Sequence, residues 1–243
     1  METKKLLLER AKRARYTNHV QYTRFLTPAD ALTAEVTARE MDVQCALEGG
    51  WENAERRMCA FFCDDPPEAY PLTTLRVRWD ARFGSVKHRD LMGSLMSLGI
   101  EPDTIGDIAM GRTPGSAYIA CTRDVSSYII SAFDRAGRTP LKTDETNTVS
   151  IAPPEGVNVR VTVAHVRIDA VIAAGWHLSR AEAQRLISEG LVKRNHVFEE
   201  RCDKELVEGD LISARGLGRL RVDAIQGETR KGRIGLNLFR YGK

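Results

Sequence analysis

The 243-residue sequence contains no apolar run approaching the roughly 20 residues that a bilayer-spanning helix requires. Its first leucines, Leu6 to Leu8, are flanked by Lys4, Lys5, Glu9 and Arg10, which breaks the stretch too soon for a secretory signal. A soluble, cytoplasmic chain with no membrane partner is expected. Cysteine is scarce: Cys45, Cys59, Cys63, Cys121 and Cys202 are odd in number, show no Cys-x-x-Cys spacing, and are too few to staple a secreted scaffold. They read as reduced thiols. Low-complexity tracts and internal repeats are also missing, as are a Gly-rich phosphate loop and a metal-ligand cluster, so neither a cofactor nor a metal is expected. What remains, 28% charged and 42% hydrophobic residues, is ordinary globular composition for two or three small domains.

Charge of one sign is not in excess overall, since the net charge is only +3, but its distribution is uneven. Residues 1–24 carry +5 and residues 215–243 carry +6, which leaves −8 for the 190 residues between. Two basic ends around an acidic middle favour a polyanionic partner touched at particular surfaces.

Two Pro-rich, acidic stretches, Cys63 to Glu68 and Ile151 to Gly156, cannot continue a helix or an interior strand and mark boundaries. Three blocks follow, at 1–68, 69–155 and 156–243. In the first, Thr27 before Pro28 predicts a capped helix through Met41, and a second helix is expected over Trp51 to Phe62. Cys59 and Cys63 would share a face of that helix as buried small hydrophobes. The second block alternates as strand (72–79), helix (90–98), strand (105–110), strand (117–121), helix (125–133) and strand (147–151). That β-α-β-β-α-β order is the split-βαβ arrangement, with both helices on one face of an antiparallel sheet. RNA-recognition modules use such a sheet to stack bases on exposed rings. Here Ser116 stands at one stacking position and only Tyr118 remains, so packing is the fuller account of Tyr118 and base stacking the alternative.

The third block carries the most specific pattern. Arg167 to Gly175 predicts a short helix with Ile168, Val171 and Ile172 on one side and Gly175 as its stop. In Ser179-Arg180-Ala181-Glu182 a capping box opens a second helix, whose buried stripe is Ala183, Leu186 and Ile187. Arg180, Gln184 and Arg185 are left pointing outward. The next strand adds Lys193, Arg194 and Asn195, and Arg201 follows. Cations on a helix pair and its adjoining strand can meet several phosphates of a folded RNA at once. A basic hairpin, with strands near 219–225 and up to Tyr241 around a turn at 227–233, closes the chain.

This block closely resembles the S-four-type RNA-binding domain in its Arg167-x-Asp169, Ser179-Arg180-x-x-Ala183-x-x-Leu186-Ile187, Gly190-x-Val192, Asn195 and Gly209-Asp210 positions. The resemblance implies RNA-facing roles for Arg167, Ser179, Arg180, Gln184, Arg185, Lys193, Asn195 and, in the same strand and loop, Arg194 and Arg201. His196 departs from it, since the family often has Gly after the Asn. The whole layout is similar to the YlmH/RqcP family, through Gly49 to Arg57, His88 to Leu95, Gly99-Ile100, Ile105 to Ile108 and Lys231 to Arg233.

Membership would imply an α+β chain with a helical N-terminal domain, an RNA-recognition-like middle domain and a C-terminal S-four-type domain. It would also imply a non-enzymatic factor of ribosome-associated quality control. Its partners would be large-subunit ribosomal RNA, peptidyl-tRNA on the large subunit, and the factor that tails stalled chains at their C-termini. The alternatives are an rRNA-modifying enzyme of pseudouridine-synthase type and a ribosome assembly factor using the same module. The upstream blocks hold neither the catalytic Arg-Leu-Asp loop of pseudouridine synthases nor the nucleotide-binding signatures of tyrosyl-tRNA synthetases, so no catalytic residue is assigned.

Overall fold

The computed structural model describes residues 2–83, 86–229 and 232–242. The chain divides into two compact units, one ending at Pro153 and the other running from Pro154. Among the described residues no helix is long and apolar enough to cross a membrane.

The first unit begins with α1 (Glu2–Thr17), β1 (Gln21–Leu26), α2 (Pro28–Glu40), β2 (Gln44–Glu48) and β3 (Arg57–Phe62). The Thr27 hydroxyl accepts the Asp30 backbone N–H at 3.3 Å, and Pro28 opens α2 with its φ already helical. Alanines make the helix faces thin: Ala11 and Ala14 of α1 and Ala31, Ala34 and Ala38 of α2 pack with Leu7, Cys59 and Phe61. The helix expected over 51–62 is instead a turn followed by β3, the central strand of a β1-β3-β2 antiparallel sheet. Met58 to Phe62 are all buried, so both faces of β3 are apolar and the period-two signal of a strand is lost. The N-terminal block therefore combines its helices with a sheet, and Cys59 and Cys63 do not share a helix face.

The second part of this unit comprises β4 (Leu72–Arg78), α3 (His88–Met96), β5 (Ile105–Met110), β6 (Ser116–Thr122) and α4 (Arg123–Ala132). Two short strands, β7 (Arg135–Ala136) and β8 (Thr139–Pro140), precede β9 (Lys142–Glu145). The sheet order is β5-β6-β4-β9, antiparallel throughout, as the split-βαβ order requires. Leu91 and Leu95 of α3 and Ile129 of α4 pack on Leu75, Val77, Ile108, Ala117 and Ile119 of one sheet face. The closing strand lies at 142–145 rather than 147–151, where Ile151 makes only an isolated bridge to Gly111. This strand, Lys-Thr-Asp-Glu, shows no apolar alternation because it is an edge held by charge: Asp144 accepts from Arg76 at 2.7 Å and from Arg78 at 2.6 Å.

The other face of that sheet is covered. Phe25 of β1 and Met58 of β3 pack on Ala120 of β6, with Trp51, Tyr70 and Leu72 around them. Gly106 makes this approach possible, since a Cβ there would lie 2.5 Å from the Phe25 ring and 2.9 Å from Ala120 Cβ. Polar ties reinforce it: Asp107 accepts the Glu55 and Arg56 backbone N–H groups, and Arg56 donates to the Ile105 and Pro102 carbonyls, each at 3.0 Å. Tyr118 is 7% exposed, which leaves no ring face for a base and decides for packing.

The second unit contains β10 (Gly156–Val163), α5 (Ile168–Trp176), α6 (Arg180–Ser188), β11 (Val192–Arg194), β12 (Val197–Phe198), β13 (Leu211–Ala214), β14 (Gly218–Glu228) and β15 (Ile234–Tyr241). Its six strands run antiparallel in the order β10-β15-β14-β13-β11-β12. Ile168, Val171 and Ile172 of α5 and Ala183 and Ile187 of α6 meet Val192, Ile212, Leu220, Val222, Leu236 and Leu238 of the sheet. The terminal hairpin of β14 and β15 matches the expected one, and the alternating strand β10 adds to it. Arg230 and Lys231 of its turn lie outside the described residues. Gly175 is not the stop of α5, which runs to Trp176 and ends on His177 in the left-handed region (φ 57°). Its role is close packing, because a Cβ there would sit 2.6 Å from Leu220.

Candidate nucleic-acid interface

Ser179 accepts the Glu182 backbone N–H at 3.2 Å while the Glu182 carboxylate accepts the Ser179 N–H at 2.8 Å, so the capping box fixes where α6 starts. The Ser179 hydroxyl also donates to Glu182 at 2.7 Å. The cap sets the phase of α6, and with it Arg180 and Gln184, four residues apart, share one helix face. Both reach the same atom. Arg180 Nη2 donates to Asp169 Oδ2 at 2.7 Å and Gln184 Nε2 donates to it at 2.9 Å. Arg167 Nε stands 3.6 Å from the other carboxylate oxygen. Asp169, on α5, is completely buried, yet Arg180 keeps 54% of its side chain exposed. A buried anion thus organises three polar side chains whose outer portions remain in water.

Burial would push the Asp169 carboxyl up, but hydrogen bonds from Gln184 and Arg180 and the charges of Arg180 and Arg167 outweigh it and hold the group below the ordinary carboxylate range. It stays ionised at neutral pH. The segment after β12 docks beside this cluster: Ile168 N–H donates to the Lys204 carbonyl at 2.9 Å, and Arg167 bridges Glu205. Arg201 belongs to that segment and pairs with Asp203 at 3.3 Å. Arg185 is exposed and lies 3.9 Å from Glu189 one turn on.

The remaining expected residues lie elsewhere. Arg194 donates to Asp210 through Nε at 2.9 Å and Nη2 at 2.8 Å, and Asn195 Nδ2 donates to its second oxygen at 2.7 Å. Asn195 Oδ1 in turn accepts the Leu211 N–H at 2.9 Å. These contacts brace the two-residue hairpin turn Asn195-His196, whose φ values of 47° and 70° have the signs of a type I′ turn. His196 keeps that backbone conformation where Gly would adopt it more freely. Lys193 alternates with Val192, which is in the helix-covered core, so it belongs to the opposite sheet face. There its ammonium stands 4.5 Å from the centre of the Phe198 ring.

The structure therefore joins Arg167, Arg180 and Gln184 in one cluster, with Arg185 exposed further along α6 and paired with Glu189, and Arg201 in the segment after β12. It separates Lys193, and it gives Ser179, Arg194 and Asn195 internal partners. Asp169 and Phe198 were missed by sequence reasoning. The spacing of Arg180 and Gln184 signals a shared partner, but its identity depends on how α5 and α6 cross. Among the described residues no group of three or more His, Cys, Asp or Glu side chains is placed to hold a metal.

Residues 66–150 match the family described as "Putative RNA-binding domain in YlmH", and residues 166–197 match the S4 domain. The Bacillus subtilis (strain 168) protein named "Ribosome-associated protein quality control protein P2" is 31% identical over 218 residues, covering 87% of this chain and 84% of that one. The chain belongs to the YlmH family. A solved structure titled "Cell division protein ylmH from Streptococcus pneumoniae" superimposes with a TM-score of 0.51, covering 60% of this chain and 89% of that one. Its identity is 19%, so that likeness is one of fold. This chain thus has an α+β architecture with an S4 domain in its C-terminal region. The matched S4 segment includes Arg167, Ser179, Arg180, Gln184, Arg185, Lys193, Arg194 and Asn195, and Arg201 follows it. The matched families are those of RNA-binding domains and of a quality-control protein.

Proposed function

We propose that this protein is a non-enzymatic RNA-binding factor of ribosome-associated quality control in the cytoplasm. It binds large ribosomal subunits that carry peptidyl-tRNA, holds the tRNA against ribosomal RNA, and so supports the factor that extends stalled chains at their C-termini. The observation that carries this reading is the Asp169-centred cluster: Arg180 is fixed at its inner end and exposed at its outer end. A cation held in one geometry loses less side-chain freedom on meeting a phosphate than one that must first be ordered. The three blocks at 1–68, 69–155 and 156–243 are proposed as the domains of the factor, with RNA contact made by Arg167, Arg180, Gln184, Arg185 and Arg201. For Ser179, Arg194 and Asn195 the proposed part is to hold the neighbouring backbone in the shape that RNA meets.

The test is co-sedimentation with large subunits isolated from cells with stalled ribosomes. Arg180→Glu with Arg185→Glu is expected to abolish association while far-ultraviolet circular dichroism in the absence of denaturant stays unchanged, the loss of Arg180 as partner to buried Asp169 showing instead as a lower urea midpoint. Binding of the unaltered protein to RNA should weaken as salt rises, with a logarithmic slope of about −0.9 for each duplex phosphate neutralised. The double substitution should flatten that slope by about two phosphates. Unchanged co-sedimentation or a flat salt response would reject this surface. Sedimentation with immature particles lacking peptidyl-tRNA would assign the protein to assembly instead.

A further inference from the structure

The sheet of the second unit has a face without helices. Along it the register sets Phe198 against Lys193, Lys193 against Ser213, and Ser213 against Arg219. A cleft of about 440 Å³ opens over this row, floored by Lys193 and Phe198 and flanked by Arg215 in the turn between β13 and β14. The cleft is open to solvent along one side, a surface site rather than an enclosed pocket. Phe198 is 62% exposed although it sits in a hairpin that Arg194, Asn195 and Asp210 brace from beneath. The Lys193 ammonium lies over one face of the ring, 4.5 Å from its centre, so a base would stack on the side turned away from it. Further along the same face, Arg221 is already engaged, since it stacks near Phe239 and Tyr241 and pairs with Asp223. The open end of the face is the Phe198 end.

Cations interleaved with an exposed ring are how proteins hold single-stranded nucleic acid: the ring stacks on a base and the cations meet the flanking phosphates. The geometry points to this cleft as a second RNA site, one that takes an unpaired nucleotide, with Phe198 as the stacking platform and Lys193 and Arg215 as phosphate contacts. It is distinct from the Asp169 cluster on the helices. It rests on the reading of the protein as an RNA binder and adds the class of RNA: a helix adjoining an unpaired segment. An acidic peptide would satisfy the cations but has no flat ring to lay on Phe198, so RNA is the occupant the surface favours.

The full-length protein is titrated by fluorescence anisotropy with a blunt RNA hairpin and with the same hairpin bearing a five-adenosine tail. For the unaltered protein the tail should improve affinity about fivefold or more, the lower end of what one base–aromatic stack contributes. Phe198→Ala and Phe198→Leu should both lose that gain and bind the blunt hairpin as the unaltered protein does. Leu keeps apolar bulk, so its failure would assign the gain to the ring. Arg180→Glu should weaken both RNAs and keep the ratio between them. If the tail adds nothing, or if the gain survives in both Phe198 variants, the cleft proposal is wrong while the reading of the helix cluster stands. If neither RNA binds the unaltered protein, both fall. Displacement of the tail by hexaglutamate as readily as by hexaadenylate would reassign the cleft to an acidic protein partner and overturn the nucleotide assignment.

Discussion

Replacing Asp169 by Asn separates two consequences of the buried carboxylate that Coulomb's law alone would confuse. The amide has nearly the same shape but loses the charge that holds Arg180, Gln184 and Arg167. A hydrogen bond to a charged group contributes about 1.5–3 kcal/mol, and because Arg180 is half exposed and can turn to water, the lower figure applies. A loss of roughly 1–2 kcal/mol is expected, read in urea from the fluorescence of Trp176 in a Trp51→Phe, Trp79→Phe background. Because the folded carboxyl titrates below its ordinary value, its contribution is fully present above the ordinary carboxylate range and is lost as pH falls through the lowered folded value. The stability difference between the unaltered and Asn proteins should therefore begin to shrink as pH falls below about 4 and vanish only below the lowered folded value.

RNA affinity gives the sharper sign. Removing one negative charge near phosphates should strengthen binding by about 0.5 kcal/mol at roughly 8 Å in water. Freeing two side chains that must be reordered on binding costs about 0.5–1.5 kcal/mol each. The net expectation is weaker binding, by about twofold or more, from a substitution that makes the surface more positive. Tighter binding by Asp169→Asn would refute the argument that Asp169 acts by holding Arg180 and Gln184 in place.

Two further predictions concern the scaffold. Asp210→Ala removes the buried acceptor of Arg194, Asn195 and the Val207 N–H and leaves the half-buried Arg194 without its partner, so it should cost about 1.5–3 kcal/mol and release amide-exchange protection across residues 192–198. Persistent protection there would show that the hairpin does not depend on the carboxylate. Gly106→Ala should destabilise the first unit by about 1–3 kcal/mol, since its Cβ would meet the Phe25 ring and Ala120 in a closed contact. A thermal midpoint unchanged by this methyl would contradict the tight apposition of the two sheets.

The C-terminal helix pair is legible in sequence because each local signal agrees with the tertiary fold. Ser179 and Glu182 mark the start of α6, Ala183 and Ile187 its buried side, and Arg180 and Gln184 a shared face. Legibility fails where burial or charge erases the pattern. Arg57 to Phe62 is apolar on both sides and reads as a helix, while Lys142 to Glu145 is polar because it is an edge strand, so the sequence pattern places the closing strand at 147–151 instead. The partners of the candidate site lie outside local sequence altogether. Asp169 meets Arg180 only because α5 and α6 cross where they do, and Lys193 leaves the helix cluster because a strand alternates. The short turn at Asn195-His196 keeps its positive φ angles despite the missing Gly, as Asn195 is tied to Asp210 and Leu211.

The seal between Phe25, Met58 and Ala120 bears on how this polypeptide can be dissected. A fragment cut at 69–155 would shed its own lid and present a greasy sheet back to solvent, inviting self-association, whereas scission near Pro153 severs no such packing within the first unit. Fragments that keep residues 2–153 whole should stay monodisperse where the excised middle segment clumps, because the α1-to-β3 block supplies the cover that its neighbour's sheet lacks.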